Sequence, residues 1–219
     1  MGLQIIKQTE TQYNPVFLAV LEDIQGGVTI GTTRIPTTTK FLHPGTPLAA
    51  SASSVGLYNI VKTAALKRTL GTSACVTIYV YSSSLPNSRG QEFKAGEYIM
   101  IDGMGSAATI ASITIGAKTS GVGTDIIYLT AAGGGLNSTA VTGTKILEAS
   151  AAATSGAASA FDADCLLQDA VRVRLESGYT LQNITASAVV RGTVDESILP
   201  YYAPSEGVKT PLTARIRFA

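Results

Sequence analysis

Gly103-Met104-Gly105-Ser106-Ala107-Ala108 has the spacing of a dinucleotide-binding fingerprint with Ala in its third place. It follows an apolar run, and Asp125 stands about twenty residues on, where that motif places its acidic ribose partner. The chemistry requires a helix N-terminus opening at the third position, so that backbone amides face the pyrophosphate. Here Thr109-Ile110-Ala111-Ser112-Ile113-Thr114-Ile115 alternates β-branched with smaller residues, a poor helix and a good strand. The glycines are therefore expected to turn a hairpin, and no cofactor is expected.

The other reactive residue types are sparse. His43 is the only histidine, which excludes a multi-histidine metal site, and it lies in a turn signal between Leu42 and Pro44-Gly45. No Gly-x-Ser-x-Gly elbow accompanies it, since Gly71-Thr72-Ser73-Ala74-Cys75 lacks the last glycine. Asp162 with Asp164, and Asp195 with Glu196, are carboxylate pairs by adjacency alone, and no calcium-loop pattern follows either. Cys75 and Cys165 sit among apolar and small residues and are expected to be reduced and buried. Neither a P-loop nor a Cys-x-x-Cys is present, and the sequons at Asn137 and Asn183 lack an accompanying signal peptide. Tyrosines and phenylalanines do not interleave with basic residues, so no stacking platform for single strands is indicated. No catalytic, cofactor-binding or metal-binding residue is expected, and the chain is read as non-enzymatic.

Composition narrows the class further. Charged residues make up 14% of the 219, against about 25% in an average soluble domain, while 45% are hydrophobic. Such a chain has enough apolar material for a core and is not a disordered segment. Its net charge of +1 supplies no field to gather nucleic acid or anionic lipid. The longest aliphatic or aromatic run, residues 16–21, is too short to span a bilayer, which takes about 20 apolar residues. The N-terminal residues carry no secretion or lipidation pattern. A surface so poor in charge suits a protein that covers it with neighbours.

The elements that position these residues read as strands. An apolar run over 16–21, a turn at Gln25-Gly26-Gly27 and Val28-Thr29-Ile30 predict strand, turn and strand, with a short helix over Pro15 to Asp23 as the alternative. Thr32-Thr33-Arg34-Ile35-Pro36-Thr37-Thr38-Thr39-Lys40 favours extended backbone, and its proline withholds a ladder donor, as in an exposed arm or edge. Strands are further predicted over 57–61, 75–81, 97–101, 109–115, 125–129 and 144–147, with glycine-rich turns between the later ones. That close spacing over 93–148 indicates a small barrel or sandwich module. Residues 149–160 are almost all Ala, Ser, Thr and Gly and predict a linker or mobile loop. Val171-Arg172-Val173-Arg174-Leu175 alternates, 186–190 is apolar, a Pro- and Gly-containing loop follows Tyr202, and 215–219 predicts a paired terminal strand.

Three segments carry a family resemblance: Lys40-Phe41-Leu42-His43-Pro44-Gly45-Thr46-Pro47-Leu48, Phe93-Lys94-Ala95-Gly96-Glu97-Tyr98-Ile99, and Val189-Val190-Arg191-Gly192-Thr193-Val194-Asp195-Glu196-Ser197-Ile198-Leu199-Pro200. With the terminal apolar strand they resemble the head decoration (cement) proteins of tailed bacteriophages, of the lambda type, and related auxiliary capsid or head-fibre proteins. The resemblance implies a mainly β fold with little helix: a small β-barrel or β-tulip-like domain with an inserted β module and an extended N-terminal arm. Residues 1–40 would form the arm and first strands, 41–90 with 161–219 the core domain, 91–148 the inserted module and 149–160 the Ala/Ser linker.

The same resemblance implies a homotrimer on the outside of a virion, made in the host cytoplasm. Its partner would be the major capsid protein, with no nucleic acid and no membrane. Subunit and capsid contacts are then expected at Thr37, Thr38, Thr39 and Lys40, and at Arg191, Asp195, Glu196, Tyr201 and Tyr202. A tail, baseplate or collar component is the alternative for a β-rich, low-charge chain. A carbohydrate-binding β domain presenting Tyr98 and Tyr128 is a further one, disfavoured by the absence of tryptophan.

Overall fold

Side-chain alternation with a period of two sets the local structure nearly everywhere. The computed structural model describes residues 16–37, 39, 41–71, 76–81, 92–116, 124–130, 136, 139–174, 183–196, 199 and 206–219. The first elements are β1 (Phe17–Asp23), β2 (Val28–Ile30), β3 (Phe41–Leu42), β4 (Pro47–Ala50), β5 (Leu57–Ile60), β6 (Thr63–Ala65), β7 (Thr77–Tyr81) and β8 (Tyr98–Ile101). There follow β9 (Ala107–Thr114), β10 (Thr124–Leu129), β11 (Lys145–Ala149), β12 (Cys165–Leu167), β13 (Val171–Arg172), β14 (Ile184–Ala186), β15 (Ala188–Val194), α1 (Glu206–Leu212) and β16 (Ile216–Phe218). The fold is mainly β with little helix, as the sequence pattern predicts.

Among the described residues, eight strands form a curled, open half-barrel sheet in the order β1-β15-β12-β4-β5-β2-β14, with β16 also on β15. β1 lies along one side of β15, so β12 and β16 share its other side, β12 beside Ala188 and Val189 and β16 beside 192–194. β1 and β2, though joined by a glycine turn, do not pair with each other. β1 takes β15 as partner, whereas β2 takes β5 and β14.

A second sheet, of six strands among the described residues, runs β6-β11-β8-β9-β10-β7. Its two end strands meet: Leu66 bridges Val80, and the Lys67 amide donates to the Tyr79 carbonyl at 2.8 Å, closing the sheet on itself. It draws strands from both sides of Gln91, since β6 and β7 precede that residue. Among the described residues, β3 and β13 make a separate two-stranded sheet.

Three apolar clusters explain why many strands read as unbroken hydrophobic runs. In β12, Cys165 and Leu167 enter one cluster while Leu166 enters another. Leu48 and Ala49 of β4, and Ala188 and Val189 of β15, divide in the same way. In the six-stranded sheet, Ile99 and Ile101 of β8 and Ile146 of β11 fill the closed interior, while Met100 and Leu147 turn outward onto the half-barrel. The cluster holding Met100, Leu147, Leu166 and Val189 thus joins the two sheets. Strands buried on both faces lose the polar half of their alternation.

Three local readings change. The described residues among 32–39, expected as an extended, exposed arm or edge, turn instead, with the Ile35 amide on Thr32 O at 3.0 Å and Thr32, Ile35 and Thr39 buried. Residues 206–212, expected within a loop, form α1 despite Pro211, because Leu212 is fully buried against the inter-sheet cluster. Residues 149–160, expected as a linker, carry ordered backbone bonds: Ala149 bridges Ser159, Ala153 bridges Ala107, and the Ala157 amide donates to Gly105 O at 2.8 Å. Small side chains permit this approach; a Cβ on Gly105 would sit 2.9 Å from Gly156 N. At Gly103, φ is +76° and strand β9 begins four residues later, so the helix a dinucleotide site needs is replaced by a hairpin.

Candidate functional site

Among the described residues the half-barrel ends on β1, and β1 is the least covered of their strands. Its burial pattern shows exposure at every residue from Leu18 to Asp23. Leu18 is 56% exposed, Val20 42% and Leu21 73%. One side of β1 is bonded to β15, and the other pairs with no strand among the described residues. The approach to β15 depends on Gly192, where a Cβ would lie 2.5 Å from Ala19 O. Three register irregularities bend the strand, at 17/19, 20/22 and 22/23.

Arg191, Asp195 and Glu196 lie beside this edge. Arg191 pairs across to Glu22 at 3.8 Å with both side chains more than half exposed, an arrangement that contributes little to stability. The Asp195 amide donates to Val16 O at 2.9 Å, and Glu196 forms an ion pair with Lys209, whose ammonium lies 5.5 Å over the Phe218 ring. Thr37 and Thr39 belong to the segment after β2, with Thr37 exposed and Thr39 buried and donating its amide to Pro36 O at 3.1 Å. β2 is four strand positions from β15 in the sheet order, and no contact links the two groups of residues among the described residues. Thr38, Lys40, Tyr201 and Tyr202 lie outside the described residues.

A second assembly was not singled out in the sequence. Lys62, a fully buried side chain, pairs with Glu97, whose other oxygen accepts the Lys94 amide at 2.8 Å. The Lys94 ammonium donates to Thr33 O at 2.6 Å, the neighbouring Arg34 pairs with buried Glu148, and the Glu148 amide returns to Lys62 O at 3.3 Å. The circuit closes, joining the segment after β2, the β5–β6 junction, the approach to β8 and strand β11. Glu92, 1% exposed, accepts the Thr63 amide at 3.2 Å beside it, and the Arg34 guanidinium lies 4.6 Å over the Phe161 ring.

Electrostatics reflect this burial. Desolvation pushes the Glu148 carboxyl above its ordinary value, while Lys62 and Arg34 pull it back. Lys94 is lowered by burial and then by its neighbour Lys62, with Arg34 and Arg174 adding repulsion and Glu97 opposing them. The faint signal for this circuit was a lone charge inside an apolar strand run: Lys62 after Ile60-Val61, Glu148 after Ile146-Leu147.

The remaining reactive residues are placed conventionally. His43 occupies the turn between β3 and β4, its carbonyl accepting the Thr46 hydroxyl at 2.7 Å. Cys165 is a buried free thiol pushed up to about 12 by desolvation, with Asp164 adding to the shift, and Cys75 lies outside the described residues. Tyr98 packs against the inter-sheet cluster, whereas Tyr128 is 38% exposed and pairs with Thr77 and Ser112, so the two tyrosines share no platform. Among the described residues, no group of three or more His, Cys, Asp and Glu could hold a metal ion, and no helix is long and apolar enough to cross a membrane. No family model, curated protein or solved structure matches the chain.

Proposed function

We propose that the chain is a structural virion protein that binds the outside of a tailed-phage capsid as a trimer and stabilises the shell. The observation that carries this reading is the edge at β1, where Leu18, Val20 and Leu21 stand exposed and the outer side pairs with no strand among the described residues. An edge strand of that kind gains a partner by strand addition, main-chain bonds supplying affinity and apolar side chains the added burial. Two further supports are the 14% charge content and the resemblance of 40–48, 93–99 and 189–200 to decoration proteins. In this reading the half-barrel, including β1 and β2, is the small barrel or tulip-like decoration domain, the residues before β1 belong to its arm, and the six-stranded sheet is the added module. A stable contact buries about 1,200–2,000 Å² in total, and a trimer engaging several capsid subunits multiplies weak contacts by avidity.

The test adds purified protein to undecorated capsids and images them, alongside light scattering for the oligomer. Wild type decorates the whole head and runs as a trimer. Leu18→Lys/Leu21→Lys, which blunts the edge with charge, abolishes decoration at unchanged thermal stability. Gly192→Ala, which forces a Cβ against Ala19 O, weakens it by displacing β1. A monomer that leaves capsids bare overturns the proposal, and decoration confined to one vertex replaces it with a tail or collar role.

A further inference from the structure

We propose that Lys62 and Glu97 condense to an intramolecular amide, with Lys62 Nζ becoming bonded to Glu97 Cδ as one water leaves. The inference is independent of the shell-binding reading. It starts from the ion pair between these two residues and from the place of Glu148 beside them in the closed sheet.

Strands β6, β11 and β8 are neighbours in that order. The β6–β11 register sets Ala65 opposite Lys145 and Thr63 opposite Leu147, so the next rung sets Lys62 opposite Glu148, and the Glu148 amide on Lys62 O at 3.3 Å belongs to it. On its other side Glu148 stands opposite Ile99, and Glu97 lies two residues before Ile99 at the approach to β8. With a period of two, Lys62 continues the inward row of Ala64, Glu148 that of Ile146, and Glu97 that of Ile99 and Ile101. The amine, the carboxyl it would join and a second carboxyl are therefore neighbours on one face, where opposite Cβ atoms lie about 4.5–5.5 Å apart.

Burial favours the step. The Lys62 side chain is 0% exposed and that of Glu97 17%, so water competes little where they meet. Two groups held in reacting geometry act at an effective concentration of roughly 10⁵–10⁸ M. Condensation also removes two opposite charges from a place that solvates them poorly.

The remaining parts are present. While one Glu97 oxygen faces Lys62, the other accepts the Lys94 amide at 2.8 Å, a donor for the oxyanion that develops there when Nζ attacks. Glu148 gives Oε1 to Arg34, and its buried Oε2 has no hydrogen-bond partner among the described residues. Desolvation holds this carboxyl above its ordinary value, with Lys62 and Arg34 opposing, which strengthens it as a proton acceptor. Glu148 takes a proton from the ammonium and passes it to Glu97 Oε1, and the neutral Nζ attacks Cδ. A second proton leaves the nitrogen by the same carboxyl, and Oε1 departs with both as water. The Nζ–Cδ bond forms, the Cδ–Oε1 bond breaks, nothing is oxidised or reduced, and Glu148 ends as it began. The ion pair is the state before condensation, held by the freshly folded chain at full mass.

The experiment keeps the freshly purified whole chain at neutral pH and follows its intact mass, tryptic map and thermal unfolding over days. The expected product is one water lighter than the sequence mass and unfolds about 5–15 °C higher, the scale for a covalent tie across a loop of this size. Its tryptic map contains a branched peptide in which 41–67, uncut at Lys62, is joined to 95–118. Lys62→Arg keeps the cation, removes the amine and stays at full mass. Glu148→Gln slows the loss of water at least about a hundredfold, and Glu148→Asp recovers part of the rate. Circular dichroism establishes that each variant is folded, and the wild-type branched peptide decides the matter if one is not. A wild type that keeps its full mass, or a water loss that persists in Lys62→Arg and maps to a succinimide at an aspartate, overturns the proposal. An unchanged rate in folded Glu148→Gln overturns the proton relay.

Discussion

Replacing Lys62 by methionine isolates the energetics of the buried circuit. Methionine matches the aliphatic stem in size and removes only the ammonium, which is fully buried against Glu97. Breaking a buried ion pair from one side costs about 3–5 kcal/mol, because the surviving charge is left uncompensated in a poorly solvated place. Glu97 is 17% exposed and keeps the Lys94 amide at 2.8 Å, which puts the loss at the lower end, about 3 kcal/mol. For a chain of this length that corresponds to a fall in Tm of about 6–12 °C. Adding Glu97→Gln removes the stranded charge, so Lys62→Met/Glu97→Gln is expected to recover most of the loss. The assay is urea unfolding of wild type, both single variants and the double, followed by circular dichroism and tyrosine fluorescence to check coincident transitions. A Lys62→Met midpoint equal to wild type, or a double variant that loses the sum of the two singles, would refute the account of the circuit as a coupled, desolvated unit.

Two further outcomes follow from the same burial. Desolvation raises the Glu148 carboxyl, so the folded chain holds a proton that the unfolded chain releases near the ordinary value of 4.5. Its contribution is therefore most favourable in acid and declines as pH rises through the raised value, and Glu148→Gln should flatten that decline in urea midpoints taken between about pH 4 and 7. A decline of equal slope in the variant would remove Glu148 as its source. For Cys165, a pKa of about 12 leaves roughly one thiolate in ten thousand at pH 8, so in a Cys75→Ser background iodoacetamide should react only as fast as the protein opens. Rapid alkylation under native conditions would contradict the burial.

How much of the fold a reader of the sequence can see depends on whether a feature is local. Cys75-Val76-Thr77-Ile78-Tyr79-Val80-Tyr81 announces β7, and the turns at Gly103 and Gly116 announce the ends of β9, because period and turn chemistry are properties of a few neighbouring residues. Partner choice is not local. That β1 would leave β2 for β15, or that Leu66 would bridge Val80 and close the second sheet, depends on contacts far along the chain. Leu212 shows tertiary burial overriding a proline's local veto on helix.

The candidate sites divide along the same line. Exposure of Leu18 and Leu21 follows from β1 being last in its sheet, a fact of order that an apolar run cannot express; read alone, residues 16–21 would serve a core strand equally well. Glu148 is the sharper case. In Lys145-Ile146-Leu147-Glu148-Ala149 the alternation turns Ile146 into the closed sheet and Leu147 toward the half-barrel, and neither face gives a carboxylate access to water. Only a cation from another element makes its ionised form tolerable, and Arg34 is 114 residues away in the chain. A charge inside an apolar strand is thus legible as a demand for a partner, while the partner's identity is set by how the two sheets pack. Because Arg34 comes from the half-barrel side and Glu148 from the closed sheet, that demand also fixes how one sheet seats on the other: sliding the sheets would strand the buried Glu148 carboxylate, a penalty that the apolar contacts of Met100 and Leu147 alone would not impose.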